Sequence, residues 1–155
     1  MLLNSLQMLP NFRELFPELP DQSRIWLYLA SRKLDHTELN FANEKLNIFL
    51  SGWVAHNKKL HCNGAILFSQ YLVLSVNEDI EHASGCSIDS SVRFVKALGQ
   101  ELDIDFFNRM NVLEIENELT KIQSYFEAVN SEKTFFNPLI ENLGQLRNEW
   151  VLNQK

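Results

Sequence analysis

The chain has 155 residues, of which 45% are hydrophobic and 22% charged, and a formal net charge of −6. That length and balance predict one soluble domain with its own core. The acidic charge argues against a general nucleic-acid or anionic-membrane surface, while leaving room for a local basic pocket.

Residues 1–22 carry Pro10, Pro17 and Pro20 and read as an irregular N-terminal arm laid on a single α+β domain of residues 23–155. Met1-Leu2-Leu3 has no basic leader, and Pro10, Arg13 and Glu14 break up the apolar character of the arm. Neither a signal peptide nor a membrane span is expected. The two cysteines, Cys62 and Cys86, are too few for a disulfide framework. Both are read as reduced thiols of a cytoplasmic protein.

Arg24-Ile25-Trp26-Leu27-Tyr28-Leu29 alternates as a strand, with Ile25, Leu27 and Leu29 on one face and Arg24, Trp26 and Tyr28 on the other. Asp35, with Glu38 three residues later, has capping-box spacing for a helix. The helix stripe is Leu39, Ala42, Leu46, Phe49, Leu50 and Trp53, and Gly52 marks its end. Strands over about 60–68 and 71–76 read as a hairpin. A loop over 77–86 leads to a helix of about 88–102 with Ser87 as N-cap. Its apolar side holds Ile88, Val92, Val95, Leu98 or Gly99, and Leu102, and Asp89 and Arg93 are spaced to pair. A fourth strand covers about 111–116, with Leu113 and Ile115 inward. Two helices complete the chain. One spans about 118–130, with Leu119, Ile122, Phe126 and Val129 on its stripe. The other starts with Asn137 as cap and Pro138 at its first position.

The order strand, helix, strand, strand, helix, strand predicts a ferredoxin-like βαββαβ core, an antiparallel sheet with C-terminal helices added. Two helices would cover one sheet face. Arg24, Trp26, Tyr28, His61, Asn63, Tyr71, Val73 and Ser75 would line the other, with Glu114 and Glu116 beside them. Aromatic residues on an open sheet suit base stacking. The two glutamates repel phosphate, however, and no RNP motif is present, so no nucleic-acid partner is expected. The C-terminal helices, or a second subunit in a homodimer, are expected to cover this face.

The most distinctive stretch is Ala83-Ser84-Gly85-Cys86-Ser87-Ile88-Asp89-Ser90-Ser91. It delivers a thiol to a helix start, where free N–H groups and the peptide dipoles favour anions and thiolates. Three chemistries compete there. Ser84, Gly85, Ser87, Asp89 and Ser90, with Arg93, Arg109 and Trp53, form a candidate binding site for a small anionic ligand or a protein partner. Alternatively, Cys86 is a nucleophile with His82 or His56 as base. In the simplest layout the loops after the first helix and after the third strand lie at opposite ends of the sheet, which leaves His82 as the nearer base. Metal binding would need three or four converging ligands, and His61 and Cys62 point to opposite faces, so no metal site and no cofactor are expected. The bland alternative is ordinary helix capping by Ser87.

Arg24-Ile25-Trp26-Leu27-Tyr28, Trp53-Val54-Ala55-His56, the segment Ala83 to Phe94 and Arg109-Met110-Asn111-Val112 together resemble a family of small bacterial proteins often labelled "ABC transporter ATPase". A looser likeness runs through Phe136-Asn137-Pro138-Leu139 to Trp150. The resemblance implies that the Cys86 loop, Trp53, His56 and Arg109 are the positions of interest, and that relatives continue beyond Trp150. Such an ATPase needs a Gly-rich loop closed by Gly-Lys-Ser/Thr to hold phosphates. The sequence has none, so the likeness implies a family without implying nucleotide hydrolysis.

Overall fold

A computed structural model describes residues 12–117 and 119–153. The first half of the expected arm, with Pro10, lies outside the described residues. The remainder mixes helices with antiparallel sheets, as an α+β protein.

The N-terminal half is a three-stranded sheet of β1 (Arg24–Leu29), β4 (Cys62–Leu67) and β5 (Tyr71–Val76) in the order β1-β5-β4. β5 lies in the centre and is buried along its whole length. Against this sheet pack α1 (His36–Ser51) and α2 (Gly85–Leu102). α1 starts at the predicted capping box: Asp35 accepts from the Glu38 N–H and the Glu38 carboxylate accepts from the Asp35 N–H. Its buried stripe is Ala42, Leu46 and Leu50. Gly64 lets α1 approach β4, since a Cβ there would sit 3.3 Å from Leu50 Cδ1 and 3.0 Å from Leu74 Cδ2. Between the helices Phe49 and Phe94 stack with centroids 4.5 Å apart.

One face assignment is reversed. Trp26 pairs with Leu74 and Tyr28 with Leu72, and directly opposed residues of antiparallel strands share a face. Trp26 and Tyr28 therefore join Leu72, Leu74 and Val76 beneath the helices, where Trp26 meets Trp53 edge to face at 5.8 Å. Ile25, Leu27 and Leu29 point the other way. That second face is filled by the chain's own C-terminal part: Tyr71, Val73, Phe136, Ile140, Leu143, Leu146 and Trp150 form one core. Both faces of the β1-β5-β4 sheet thus carry core packing from described residues, so neither is the open face expected from the sequence.

The single four-stranded ferredoxin-like sheet is not what forms. β6 (Asn111–Glu116) does not hydrogen-bond to β1. It pairs with β7 (Leu119–Ser124) and with β8 (Phe135–Phe136), which in turn pairs with β9 (Val151–Leu152). Residues 119–124, read as helix from the sequence, are this hairpin's second strand. Asn117 turns the chain with φ 51°, and β6 gains a full-length partner. The spacing of Leu119, Phe126 and Val129 misled, because all three are exposed. Among the described residues of that segment only Tyr125–Asn130 is helical (α3), capped by Ser124. Leu113 and Ile115 face the core as expected. Glu114, expected on an open face, is fully buried, with Lys121 and Lys133 ammonium groups at 3.9 and 4.0 Å.

The last helix, α4 (Leu143–Glu149), starts later than Asn137-Pro138 predicts. Asn137 instead makes an Asx turn, accepting from the Leu139 N–H. Asn142 and Gln145 form a complete capping box five residues on. α4 also holds the arm. Arg147 donates to the carbonyls of Leu15, Phe16 and Leu19 and to the Asp21 carboxylate. Phe16 and Leu19 are thereby buried on the body.

Candidate functional site

The start of α2 is built by local capping. Ser84, not Ser87, is the N-cap, and its hydroxyl accepts from the Ser87 N–H at 3.1 Å. The helix therefore begins at Gly85, three residues earlier than expected. The remaining hydroxyls turn back onto the helix. Ser87 Oγ donates to Ser84 O, Ser90 Oγ to Ser87 O and Ser91 Oγ to Ile88 O, at 2.6–2.9 Å. A serine whose proton is already given to a carbonyl three residues back is a poor donor to a ligand. Gly85 has ordinary negative φ, and a Cβ there would meet nothing within 4 Å, so no close backbone approach requires it.

Trp53, predicted to end the first helix, lies just beyond the Gly52 C-cap and is buried. Its Nε1–H donates to Ser87 O at 2.8 Å. The loops after α1 and after β5 thus meet at one end of the sheet, not at opposite ends. The reason is topological: β5 runs antiparallel to β1, so β5 finishes where β1 begins, and α1 returns the chain to that same end.

His56 sits with Asn57 at the tip of a small hairpin of β2 (Val54–Ala55) and β3 (Lys58–Lys59), both tip residues with positive φ. His56 and Cys86 are both exposed, and neither has a hydrogen-bond partner among the described residues. His82 is turned to Glu78, Nδ1 to Oε2 3.8 Å, and projects into solvent. Glu78 is the organiser of this loop, also accepting from the Ala83 N–H and facing Arg24 at 3.9 Å. Among the described residues no base is hydrogen-bonded to the Cys86 sulfur. Asp89 and Arg93 are exposed and do not pair. Burial pushes the Cys62 thiol above the usual range, partly countered by Lys59, whose Nζ is 3.5 Å from the sulfur.

Arg109 lies elsewhere, on the rim of a cleft of about 240 Å³ between the two sheets. The cleft opens along the outer edge of β1. Alternate residues of a strand direct their N–H and C=O to opposite edges. Ala30 N–H bonds inward to Gln70 O, whereas Ile25 N–H donates outward to Glu141 O and Ser31 N–H outward to Asp105 O. Leu27 and Leu29 share the phase of Ile25 and Ser31, so their backbone groups also face outward. Among the described residues no partner meets them.

The walls are mostly apolar, with Leu27, Leu29, Phe106 and Leu139 among them. Tyr71 forms part of the lining. Its side chain is only 2% exposed, and burial raises its phenol well above the usual value. Among the described residues the Tyr71 hydroxyl has no hydrogen-bond partner. Tyr28, on the same rim, has its phenol raised by burial, against smaller opposing effects of Ser91 and the Arg109 charge. Arg109 is exposed and forms no ion pair among the described residues.

The sequence pointed to Arg109 but not to its neighbours here. Two further clefts lie at Lys96–Asp103 and beside His61 and Cys62; none of the three is lined by residues 83–91. Among the described residues no three His, Cys, Asp or Glu side chains are grouped to hold a metal ion, and no helix is long and apolar enough to cross a membrane. No family model, no curated protein and no solved structure matches the chain.

Proposed function

We propose that this protein is a cytoplasmic binding module for a small organic anion with an apolar body, and that the cleft beside β1 is its site. The observation that carries this reading is the convergence, on one mostly apolar cleft, of Arg109, a cation without an ion pair among the described residues, and the phenol of the little-exposed Tyr71. Mostly apolar walls with a few polar groups are the usual make-up of a small-ligand site. Arg109 supplies the charge for a carboxylate, Tyr71 a hydroxyl for a hydrogen bond, and the leucine and phenylalanine walls bury the rest. Three segments behind the resemblance to the family labelled "ABC transporter ATPase" supply these walls: Leu27 and Tyr28, Arg109 to Asn111, and Pro138-Leu139. The Ser84–Ser91 turn is then a structural cap that docks Trp53, in place of the ligand loop the sequence suggested.

Calorimetric titration with hexanoate and benzoate tests the proposal. Both acids bind the wild type, Arg109→Met weakens binding about tenfold, and Tyr71→Phe weakens it several-fold. Arg109 is exposed and Tyr71→Phe keeps the ring, so both variants fold. Absence of binding by either acid, or equal binding by Arg109→Met, would overturn the proposal.

A further inference from the structure

We infer that the natural occupant of this cleft is the carboxyl-terminal end of a peptide chain, added as a short strand to the outer edge of β1. The inference rests on the binding site proposed above and names its ligand class. The outward N–H and C=O groups of Leu27 and Leu29 are unpaired among the described residues, while the positions before and after them on the same edge are closed by the chain itself. Ile25 is bonded to Glu141, and Ser31 to Asp105. Residues in the same phase of a strand recur about 6.5–7 Å apart, the repeat of an extended peptide's own backbone groups. A simple carboxylic acid leaves those four backbone groups unmatched; a peptide satisfies them, as in other strand-addition complexes.

Because in-chain bonds close the edge on both sides, the open stretch admits a segment of about three residues and not a strand running through. A chain end fits that limit. Arg109 selects which end, since its positive charge attracts an α-carboxylate and repels an α-ammonium. A peptide continuing the sheet places alternate side chains on the face shared by Leu27 and Leu29. There Tyr71 and Leu139 also line the cleft, so at least one aliphatic or aromatic residue is favoured next to the terminus.

The test uses N-acetyl tripeptides with a free carboxylate and Ala, Val, Leu or Phe at the central position, followed by amide NMR of the 15N-labelled full chain. At least one peptide is expected to bind, to shift the Leu27 and Leu29 amide signals and to slow their exchange with solvent. Amidation of its carboxylate, N-methylation of its central residue, and Arg109→Met should each weaken it at least tenfold. If hexanoate binds and none of the peptides does, the peptide inference fails while the cleft remains a small-anion site. Peptide binding that leaves the Leu27 and Leu29 amides unmoved, or survives N-methylation, also overturns it. If neither hexanoate nor any peptide binds, both readings fall together.

Discussion

Replacing Arg147 by Lys isolates the contribution of a forked guanidinium to the fold. Arg147 Nη2 donates to the carbonyls of Leu15, Phe16 and Leu19 at 2.8–2.9 Å, and Nη1 to Asp21 Oδ1 at 2.7 Å. The side chain is 11% exposed. Lysine keeps the charge and a similar stem, but its single ammonium lacks the planar fork and reaches fewer of these acceptors at once. A hydrogen bond to a charged group contributes about 1.5–3 kcal/mol, and bonds that share one nitrogen do not add. Losing the equivalent of one or two gives a cost of about 2–4 kcal/mol, or roughly 5–15 °C in Tm for a chain of this size. Urea unfolding followed by tryptophan fluorescence reads the loss, since Trp150 sits in the core beneath the arm beside Phe12 and Phe136. Faster exchange of the Leu19 amide, bonded to Phe16 O, should accompany it. Asp21→Asn serves as control: Asp21 is 67% exposed, and an exposed partner contributes about 1 kcal/mol or less. A loss under about 0.5 kcal/mol in Arg147→Lys would refute the arm-anchoring argument.

Other parts of the molecule give independent expectations. Gly85→Ala should be neutral or stabilise by up to about 1 kcal/mol, because the added methyl meets open space; a marked loss of stability or of ligand binding would restore the 83–91 turn as a site. Glu38 is held at about 2 by the Arg32 guanidinium and the Asp35 N–H. A folded-state value below the ordinary 4.5 means its contribution to stability is complete above 4.5 and disappears as pH falls toward 2. Carbon NMR should place the Glu38 midpoint near 2 and see it rise toward 4.5 in Arg32→Ala; an unmoved midpoint would contradict that origin. Limiting iodoacetamide should modify exposed Cys86 before the half-buried Cys62, whose thiol burial pushes above its ordinary range; mass spectrometry finding Cys62 first would contradict that effect of burial.

The features legible in the sequence were local. The Asp35–Glu38 capping box and the Ala42, Leu46, Leu50 stripe depend on neighbours within a few residues, and both appear as expected. The alternation of β5 was also legible. The faces of β1 were not, because alternation gives two faces without saying which meets the helices; the Trp26–Leu74 pairing decides that. Leu119, Ile122 and Phe126 have spacing that suits a helix, yet β6 needed a strand beside it, and tertiary pairing outweighed local pattern. Ser87 was a plausible cap, but Ser84 holds that position and the other serines bond their own helix. The open edge at Leu27 and Leu29 exists because Glu141 and Asp105 close the edge on either side, a long-range fact that no local pattern encodes. Arg109 is legible as a candidate anion partner, and the alternation of β5 sets Tyr71 apart from the helix face. Only the way the C-terminal half folds over β1 brings the two to one cleft.

The most direct measurement is an amide NMR titration of the 15N-labelled chain with hexanoate, comparing two places in one experiment. Saturable shifts are expected at Leu27, Tyr71, Arg109 and Leu139, with Gly85, Cys86, Ser87 and Ser90 unmoved. Shifts confined to Gly85–Ser90, with the cleft signals silent, would contradict the proposal.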